Sequence, residues 1–343
     1  IDQQHDDMCR LVIEWANINS HSYNLLGLSD LLARVRTAFS GLQGEMEDIA
    51  LDPHQVINVR GEVEEIPLGR MLSVRKRPHA PIQVLLGIHL DTVYPQDHPF
   101  QTVTHINDRR LRGPGVTDAK GGLVILLTAL RAFEQSPLAE RIGWEVFLNP
   151  DEEIGSPGSA SVLTQRAKRH HFGLLFESTL AGGNLVSERR GTGDYTIVVR
   201  GRSAHVGRDP YGGRNAAQAL ARFVMEASAL QDHGNDIIVN MAQLSSNGAI
   251  NVVPDLAVGR VGIRISRTGE QRTVQQHFDR IVADLRTTGG VSATLHGGIR
   301  KPPKTLDTFT TSLLENLRLC GASLGLSLEW HPTGGASDGN ILA

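Results

Sequence analysis

The sequence predicts an α/β protein: a mainly parallel sheet with helices on both faces, interrupted in the chain by a smaller, ferredoxin-like α+β domain. Three observations lead to this prediction. The 343 residues are enough for two domains. In the first half, helical stretches alternate with strands that read as continuous apolar runs, which is typical of a parallel sheet buried on both faces. From about Thr196 the order of elements becomes β-α-β-β-α-β, as in a ferredoxin-like module.

The first half of the chain contains three apolar strands, each of which ends in polar residues. The sequence predicts a helix for "MCRLVIEWANI", a central strand for "PIQVLLGIHL" and a long apolar helix for "AKGGLVILLTALRAF". The second and third strands are "IGWEVFLNP" and "FGLLFES". Functional groups of open α/β sheets collect beyond the carboxyl ends of the strands, so we expect these polar residues to share one site.

The later segments define the smaller domain. Its predicted strands are "TIVVRGRSAH", "DIIVNMAQL", "LAVGRVGIRI" and "VSATLHGG", and its predicted helices are "RNAAQALARFVMEASAL" and "EQRTVQQHFDRIVADLR". The stretch "RKPPK", Arg300–Lys304, has the stiffness of a linker, and a helix and a strand follow it. We therefore predict a large domain of residues 1–190 and 300–343, with an inserted domain of residues 191–299.

The composition is that of a globular protein, 40% hydrophobic and 21% charged. A net charge of -3 offers no basic surface for nucleic acid, so small molecules or further subunits are the expected partners. No apolar run reaches the roughly 20 residues of a membrane span. The two cysteines, Cys9 and Cys320, suggest no disulfide framework, which favours a reducing, cytoplasmic setting. Because the chain opens without methionine, a removed leader stays an open alternative.

Acidic side chains and one imidazole collect at the predicted strand ends. They are His89, Asp91, Asp118, Asp151, Glu152, Glu153 and Glu177. Carboxylates at the ends of apolar strands are costly unless a positive charge neutralises them, and these strands contain no lysine or arginine. A divalent cation would neutralise them. One imidazole with several carboxylates suits zinc, and manganese and cobalt also fit.

Each of these signals has an ordinary structural alternative. A histidine at a strand end is often only hydrogen-bonded, "DEE" is often a solvated loop, and Asp118 could cap the helix that follows it. A phosphate-binding loop is disfavoured for "GPGVTDAKGG", because Asp118 stands where a dinucleotide fingerprint needs glycine and would repel pyrophosphate. The joint occurrence of the signals, in one order along the chain, favours the metal site.

These motifs together resemble those of the zinc-dependent aminoacylase and carboxypeptidase family, whose members include glutamate carboxypeptidase, succinyl-diaminopimelate desuccinylase and acetylornithine deacetylase. The resemblance rests on "HLDTVYP", "GPGVTDAKGG", "NPDEEIGSPGS", "FES", "GRSAHVG" and "NVVPD". It runs from about Asn17 to Asn340, nearly the whole chain. As a set, the motifs are highly specific for this family.

The resemblance implies a hydrolase with two divalent metals, foremost Zn2+, bridged by Asp118 and a water. It places His89 and Glu177 on one metal and Glu153 on the other. It makes Glu152 the general base, which takes a proton from the water and delivers it to the leaving nitrogen. Asp91 is expected behind His89, where a carboxylate that accepts the far N–H of the imidazole fixes its tautomer.

The resemblance also assigns substrate contacts to the later part of the chain. His205 matches a histidine that crosses to the neighbouring subunit of a homodimer and stabilises the oxyanion. Asn251 and Arg264 match a substrate-binding pair, with Arg264 placed to bind a substrate carboxylate through two hydrogen bonds. Gly334 and Gly335, in the glycine-rich loop "TGGASDGN", would let the backbone approach the substrate closely.

One departure from the family pattern concerns the second metal. A further histidine ligand is expected beyond the "SDGN" loop, and the sequence stops at Ala343. His331 precedes that loop and is a poor substitute. The two interpretations are that the true C-terminus is missing from this sequence, which we favour, or that the second metal site is incomplete.

Three functional hypotheses follow. The first is a metallohydrolase that releases a C-terminal amino acid, as glutamate carboxypeptidase does, from a peptide or an N-acyl amino acid. The second is an N-acyl amino acid deacylase or desuccinylase on the same scaffold. The third is a metal-poor homologue that binds such amides without cleaving them. The presence of Glu152 disfavours the third hypothesis, because a protein that only binds has no use for a general base.

Overall fold

The computed structural model describes residues 2–209, 211–231, 236–246 and 248–343. Its α-helices are α1 (His5–Ala16), α2 (Leu25–Ser40), α3 (Gly121–Phe133), α4 (Ala160–Ala167), α5 (Ala216–Ser228), α6 (Glu270–Thr288), α7 (Thr308–Ser323) and α8 (Gly339–Leu342). Its β-strands are β1 (Glu45–Ile49), β2 (His54–Ile57), β3 (Val63–Ile66), β4 (Met71–Lys76), β5 (Ile82–His89), β6 (Thr104–Asn107), β7 (Arg110–Arg112), β8 (Ile142–Asn149), β9 (Phe172–Leu175), β10 (Leu185–Arg189), β11 (Gly191–Arg200), β12 (Ile238–Ser246), β13 (Leu256–Ile265), β14 (Ser292–Lys301) and β15 (Trp330–Thr333).

The chain forms two compact units whose bounds differ from the predicted domain bounds. The first unit contains Ile1–His54, Ile66–Asn184 and Ser337–Ala343, and the second contains Gln55–Glu65 and Leu185–Ala336. Residues 300–336, predicted to belong with the large domain, lie in the second unit. The reason is strand pairing: β15 pairs in parallel with β10, and Arg189 bridges to Lys304 within the predicted linker.

The sheet of the first unit confirms the predicted fold class. Its strand order is β1-β4-β8-β5-β9. The strands β8, β5 and β9 are parallel, and β4 runs antiparallel to both β8 and β1. Four of the five strands therefore point the same way. Because β5 lies between β8 and β9 and is parallel to both, the ends of these three strands lie side by side.

Helices cover both faces of this sheet, which explains the continuous apolar runs. Neighbouring residues of one strand enter opposite cores. In β8, for example, Leu148 packs with α1, α2 and α3, whereas Phe147 packs with Leu163 of α4. Most of the helix α3 is buried, with Leu123, Leu127 and Leu130 each less than 5% exposed, although Ile125 is 52% exposed. Its apolar residues thus belong mainly to the core of the first unit. None of the helices in the described part of the chain has the length and hydrophobicity that spanning a bilayer requires.

The second unit contains the predicted ferredoxin-like module. Its sheet has the order β12-β13-β11-β14 with antiparallel neighbours, and the chain order is β11-α5-β12-β13-α6-β14. The helices α5 and α6 contribute Phe223 and Phe278 to one core, with ring centroids 5.4 Å apart. The predicted first strand was too long at its end: β11 stops at Arg200, so His205 lies in the following loop.

A half-buried ion cluster secures one edge of the first unit and gives a stability prediction. The carboxylate of Glu134 accepts hydrogen bonds from Arg77 and the Trp144 indole, and it pairs with Lys76. Burial raises the pKa of Glu134, but these partners outweigh burial and lower the pKa from 4.5 to about 2. A lowered carboxyl pKa contributes stability above the unfolded value of 4.5, and this contribution is lost as the pH falls towards 2.

We therefore expect Glu134→Gln to lower the free energy of unfolding at pH 7 by about 1–3 kcal/mol, the usual range for a hydrogen-bonded charged group. The difference from the parent protein should shrink to less than half at pH 3. Urea unfolding at both pH values measures it. A difference that stays constant from pH 7 to pH 3 would contradict the assignment of this charge cluster.

Candidate metal centre and active site

The polar residues predicted at the strand ends meet at one edge of the sheet. His89 is the last residue of β5 and lies in register with Asn149, the last residue of β8. Glu152 and Glu153 follow β8 in a short helical turn, Glu152–Ile154. Glu177 comes two residues after β9. Because these strands are parallel, the residues at and after their carboxyl ends lie at the same edge of the sheet, as is usual in α/β sheets.

Asp118 reaches this edge from the turn that precedes α3. The turn, Val116–Lys120, has an extended backbone at Asp118, with φ -123 and ψ 91. The first turn of α3 lies very close to the end of β9, because a Cβ atom on Gly122 would be 1.8 Å from the carbonyl oxygen of Phe176. Only glycine permits that approach. It explains why the start of α3 can lie beside the segment that carries Glu177.

Three of the predicted metal ligands form a group of suitable size. His89, Asp118 and Glu153 each offer one ligand atom, and these atoms all lie within 4.8 Å of one another. His89 Nε2 is 2.8 Å from Asp118 Oδ1 and 3.8 Å from Glu177 Oε2. His89 is buried, Glu153 is half-buried and Asp118 is exposed, so the group opens to solvent on the Asp118 side.

The other ring nitrogen of His89 faces Asp91. Nδ1 lies 3.3 Å from Asp91 Oδ1 and 3.1 Å from the Asp91 carbonyl oxygen. Burial lowers the pKa of His89, but the hydrogen bonds to Asp118 and Asp91 raise it well above its ordinary value. With a proton held on Nδ1 by Asp91, Nε2 is the nitrogen that can bind a metal. Asp91 thus lies beside the ring nitrogen of His89 that does not face Asp118.

Asp91 has a second role that the sequence did not reveal. Its Oδ1 accepts the backbone N–H of Glu152, and its Oδ2 accepts the N–H of Glu153, both at 3.1 Å. Oδ2 also accepts a hydrogen bond of 2.7 Å from Ser22 Oγ. Burial raises the pKa of Asp91, but its partners, His89 first, lower it below the ordinary value. One buried carboxylate therefore orients the imidazole and holds the loop that carries both glutamates.

The electrostatics of the site fit a bound cation. Burial raises the pKa of Glu153 to about 8, with repulsion from Asp118, Asp91 and Glu152 adding to it and His89 opposing it. Burial likewise raises the pKa of Glu177 to about 7. Burial is the main cause of both raised pKa values, and repulsion from the neighbouring carboxylates adds to it, so a bound cation would stabilise the charged forms. An imidazole with several carboxylates is a donor set that suits zinc, manganese or cobalt.

Lys120 is a site-proximal residue that the sequence analysis did not single out. It is 1% exposed, and its Nζ donates to Ser20 Oγ at 2.5 Å and to the Leu90 carbonyl at 3.0 Å. Burial lowers its pKa to about 8. Its place in the motif "TDAKGG", two residues after Asp118, was the available signal. Lys120 connects the start of α3 to the segment between His89 and Asp91.

The predicted substrate-binding residues belong to the second unit. His205 bridges to Val252, and the N–H of Val206 donates to the Asn251 carbonyl, so His205 and Asn251 lie on adjacent loops. Arg264 is exposed on β13. Gly334 and Gly335 follow β15, and the Gly335 carbonyl accepts a hydrogen bond of 3.1 Å from Arg189. His331, the poor substitute ligand, is on β15 and lies 3.5 Å from Glu329.

Comparisons with known proteins found a family model, sequence relatives and solved structures that resemble this chain. Residues 85–343 match the model of peptidase family M20/M25/M40. Carboxypeptidase G2 from Pseudomonas sp. (strain RS-16) is 27% identical over 185 residues, which are 54% of this chain and 45% of that protein. A succinyl-diaminopimelate desuccinylase from Verminephrobacter eiseniae is 28% identical over 249 residues, 69% of this chain and 61% of that protein.

The fold is shared with solved structures as well. The aminobenzoyl-glutamate utilization protein from Klebsiella pneumoniae superimposes with a TM-score of 0.74 at 15% identity, covering 99% of this chain and 88% of that one. At such low identity the likeness concerns the fold alone. The chain spans 45% and 61% of the lengths of these two relatives, so their activities do not transfer to it directly.

Proposed function

This chain belongs to peptidase family M20/M25/M40, and we propose that it is a metal-dependent hydrolase that cleaves the amide bond of a peptide or an N-acyl amino acid to release a C-terminal amino acid. The observation that carries the proposal is the group of His89, Asp118 and Glu153, whose ligand atoms lie within 4.8 Å of one another. The Glu152 carboxylate lies near enough to raise the pKa of both Glu153 and Glu177.

The proposed cofactors are two divalent metals, most simply zinc. His89, Glu177 and the shared Asp118 would hold one, and Asp118 with Glu153 would contribute to the other. When bound, such metals lower the pKa of a water and polarise the scissile carbonyl. The crowding of buried carboxylates supports cation binding. Both the identity of the metal and the number of metals bound are proposals.

Glu152 supplies the proton transfer in this mechanism. Its carboxylate accepts the proton of the attacking water and delivers it to the leaving nitrogen, a task that needs a group near the metals but not bound to them. The backbone N–H groups of Glu152 and Glu153 are both held by Asp91. Because the two side chains are adjacent, one can face the water while the other faces the metal.

The second unit would act as a lid and a dimerisation domain in this proposal. His205 Nδ1 accepts a hydrogen bond of 3.1 Å from the Gly207 N–H, so the ring proton lies on Nε2. An exposed imidazole with a proton on Nε2 is a suitable donor to an oxyanion. We propose that His205 serves the neighbouring subunit of a homodimer in this way. The predicted cytoplasmic location stays a prediction.

A deacylase is the second candidate function, and one observation favours it: the desuccinylase likeness covers more of this chain than the carboxypeptidase G2 likeness does. Both functions hydrolyse an amide with the same site. They differ in which side of the bond is recognised. Metal content, together with hydrolysis of a panel of peptides and N-acyl amino acids, tests the proposal. Metal-loaded protein that cleaves none of these substrates would leave the non-catalytic binding homologue as the better hypothesis.

Arg264 provides the test of carboxylate recognition. A guanidinium donates two parallel hydrogen bonds to a planar carboxylate, and lysine does not reproduce that fork. We expect Arg264→Lys to raise KM for substrates with a free α-carboxylate by about 10-fold, equivalent to about 1.4 kcal/mol. Steady-state kinetics on free-acid substrates and their amidated counterparts measure it. Amidated substrates should be poor for the parent enzyme and little changed by the variant. Equal cleavage of both by the parent enzyme would favour the deacylase.

A further inference from the structure

A buried polar cluster lies under the loop that carries Glu152 and Glu153. We call it the rear cluster. Its members are Asn149, Asp151, Ser156, Ser159 and Asp338, each at most 2% exposed. Four of them come from the end of β8 and the loop behind it, whereas Asp338 comes from the far end of the chain, immediately before α8. The proposed mechanism uses none of these side chains.

Asp338 connects to the loop on both of its carboxylate oxygens. Ser156 Oγ donates to Asp338 Oδ1, and Asn149 Nδ2 donates to Asp338 Oδ2 at 2.7 Å. Ser156 and Asp338 are 182 residues apart in sequence. The bond therefore fixes the loop to a part of the chain that is distant in sequence. The helix α8, which follows Asp338, packs against α4. Asp151 holds the remainder of the loop by accepting the N–H groups of Gly158 and Ser159.

The bond to Ser156 lies in the part of the loop whose backbone conformation is least favourable. Gly155 and Ser156 have φ of 88 and 57, so the chain reverses through two left-handed residues directly after Glu152–Ile154. Glycine adopts that conformation freely, but serine does so only when its surroundings enforce it. The Ser156 N–H bonds to the Asp151 carbonyl at 2.8 Å, and its hydroxyl bonds to Asp338. Without Asp338, Ser156 loses the side-chain half of this restraint.

The loop thus has a front anchor and a rear anchor. Asp91 holds the N–H groups of Glu152 and Glu153 in front, and Asp338 holds Ser156 behind. We propose that Asp338 is a positioning residue that acts through Ser156 and Asn149 to fix the Glu152–Glu153 loop for proton transfer. This inference rests on the proposed function for its kinetic consequence, but the anchor itself can be measured without activity.

The test uses the metal-loaded full chain with Asp338→Ala, Ser156→Ala and Asp338→Asn. We expect the first two to lower kcat by about 10-fold with KM changed less than about 2-fold, because misplacement of a catalytic group by a fraction of an ångström has effects of this size. Asp338→Asn should retain most of kcat: its amide oxygen can accept from Asn149 and its NH2 group can donate to the Ser156 hydroxyl. Because Glu153 lies on the same loop, all three are assayed at saturating metal, where their metal content should equal that of the parent protein.

Ser73→Ala is the matched control. Ser73 is 2% exposed and donates to a buried carboxylate, Glu145 Oε1, at 2.7 Å, the same kind of bond but between the strands β4 and β8 rather than within the Glu152–Glu153 loop. It should lower thermal stability comparably to Ser156→Ala and leave kcat unchanged. The independent readout is amide hydrogen exchange of residues 151–159, followed by mass spectrometry, which should be faster in Asp338→Ala and Ser156→Ala and unchanged in Ser73→Ala.

The outcomes separate cleanly. Unchanged exchange, or unchanged kcat at saturating metal, in Asp338→Ala would overturn the inference. Equal loss of kcat in Ser73→Ala would show a merely structural effect. If the parent enzyme hydrolyses nothing, the proposed function fails, and faster exchange in the two alanine variants alone still supports the anchor while unchanged exchange rejects it.

Discussion

Glu152→Gln is expected to lower kcat by about 10²–10⁴-fold, the range attributed to a general acid–base group, and to lie near its upper end because the same carboxylate acts in both proton transfers. An amide cannot accept the proton from water. Glutamine has the same shape, and the bonds from the loop to Asp91 are made by backbone N–H groups, which the substitution keeps, so the fold and the metal ligands should be undisturbed. Turnover at saturating substrate, with metal content measured on the same sample, gives the result.

Glu14→Gln is a suitable control for the loss of one negative charge. Glu14 is 44% exposed on α1, where it pairs with Arg34. Its replacement should leave kcat unchanged. If Glu152→Gln kept near-parental turnover with its metals bound, Glu152 would not be the base, and the proton acceptor would have to be sought elsewhere among the carboxylates of the site.

In the first unit, the sequence predicts the central, largely buried elements and misses several exposed ones. β5, β8 and α3 lie in the centre of the first unit, so nearly every residue in them is apolar. No element is predicted for residues 19–80, which contain α2 and β1 to β4. β1 and β3 are short and largely exposed, with the sequences "EMEDI" and "VEEI", and therefore lack an apolar pattern. Exposed strands of this kind are defined by their pairing partners rather than by their own residues.

The same distinction applies to the site. His89, Glu153 and Glu177 could be grouped in advance because each follows a parallel strand, and the ends of parallel strands meet. The rear anchor could not. Asp338 and Ser156 are 182 residues apart in sequence, and the residues around each of them give no indication of the contact. The parallel pairing of β10 with β15 is a long-range contact of the same kind, and it explains why the observed bounds of the units differ from the predicted domain bounds.

Asp91→Asn tests whether the contacts of Asp91 connect the His89 imidazole to the loop that carries Glu152 and Glu153. In the parent protein Asp91 Oδ1 serves His89 and the Glu152 N–H, and Oδ2 serves Ser22 and the Glu153 N–H. Asparagine has only one oxygen for these four donors. Its NH2 group is best placed on the Oδ2 side, where the Ser22 hydroxyl can turn to accept, but the Glu153 N–H then faces another donor. The variant therefore loses the charge behind His89 and loosens Glu153 at the same time.

Both losses act on metal binding, and replacing the carboxylate partner of a ligating histidine typically costs 10–100-fold in metal affinity or activity. We expect Asp91→Asn to lower zinc affinity within about that range and, at saturating zinc, to lower kcat by a further factor of about 10, because the Glu152 loop is less well held. Competition with a chromophoric chelator measures the affinity, and kinetics at saturating zinc measure the remainder. Ser22→Ala is the control: it removes one hydrogen bond but keeps the charge and both backbone contacts, so its effects should stay below those of Asp91→Asn on both measurements. If the two variants behaved alike, Asp91 would act only by filling its place in the core, and the connection between the imidazole and the glutamate loop would have no energetic meaning.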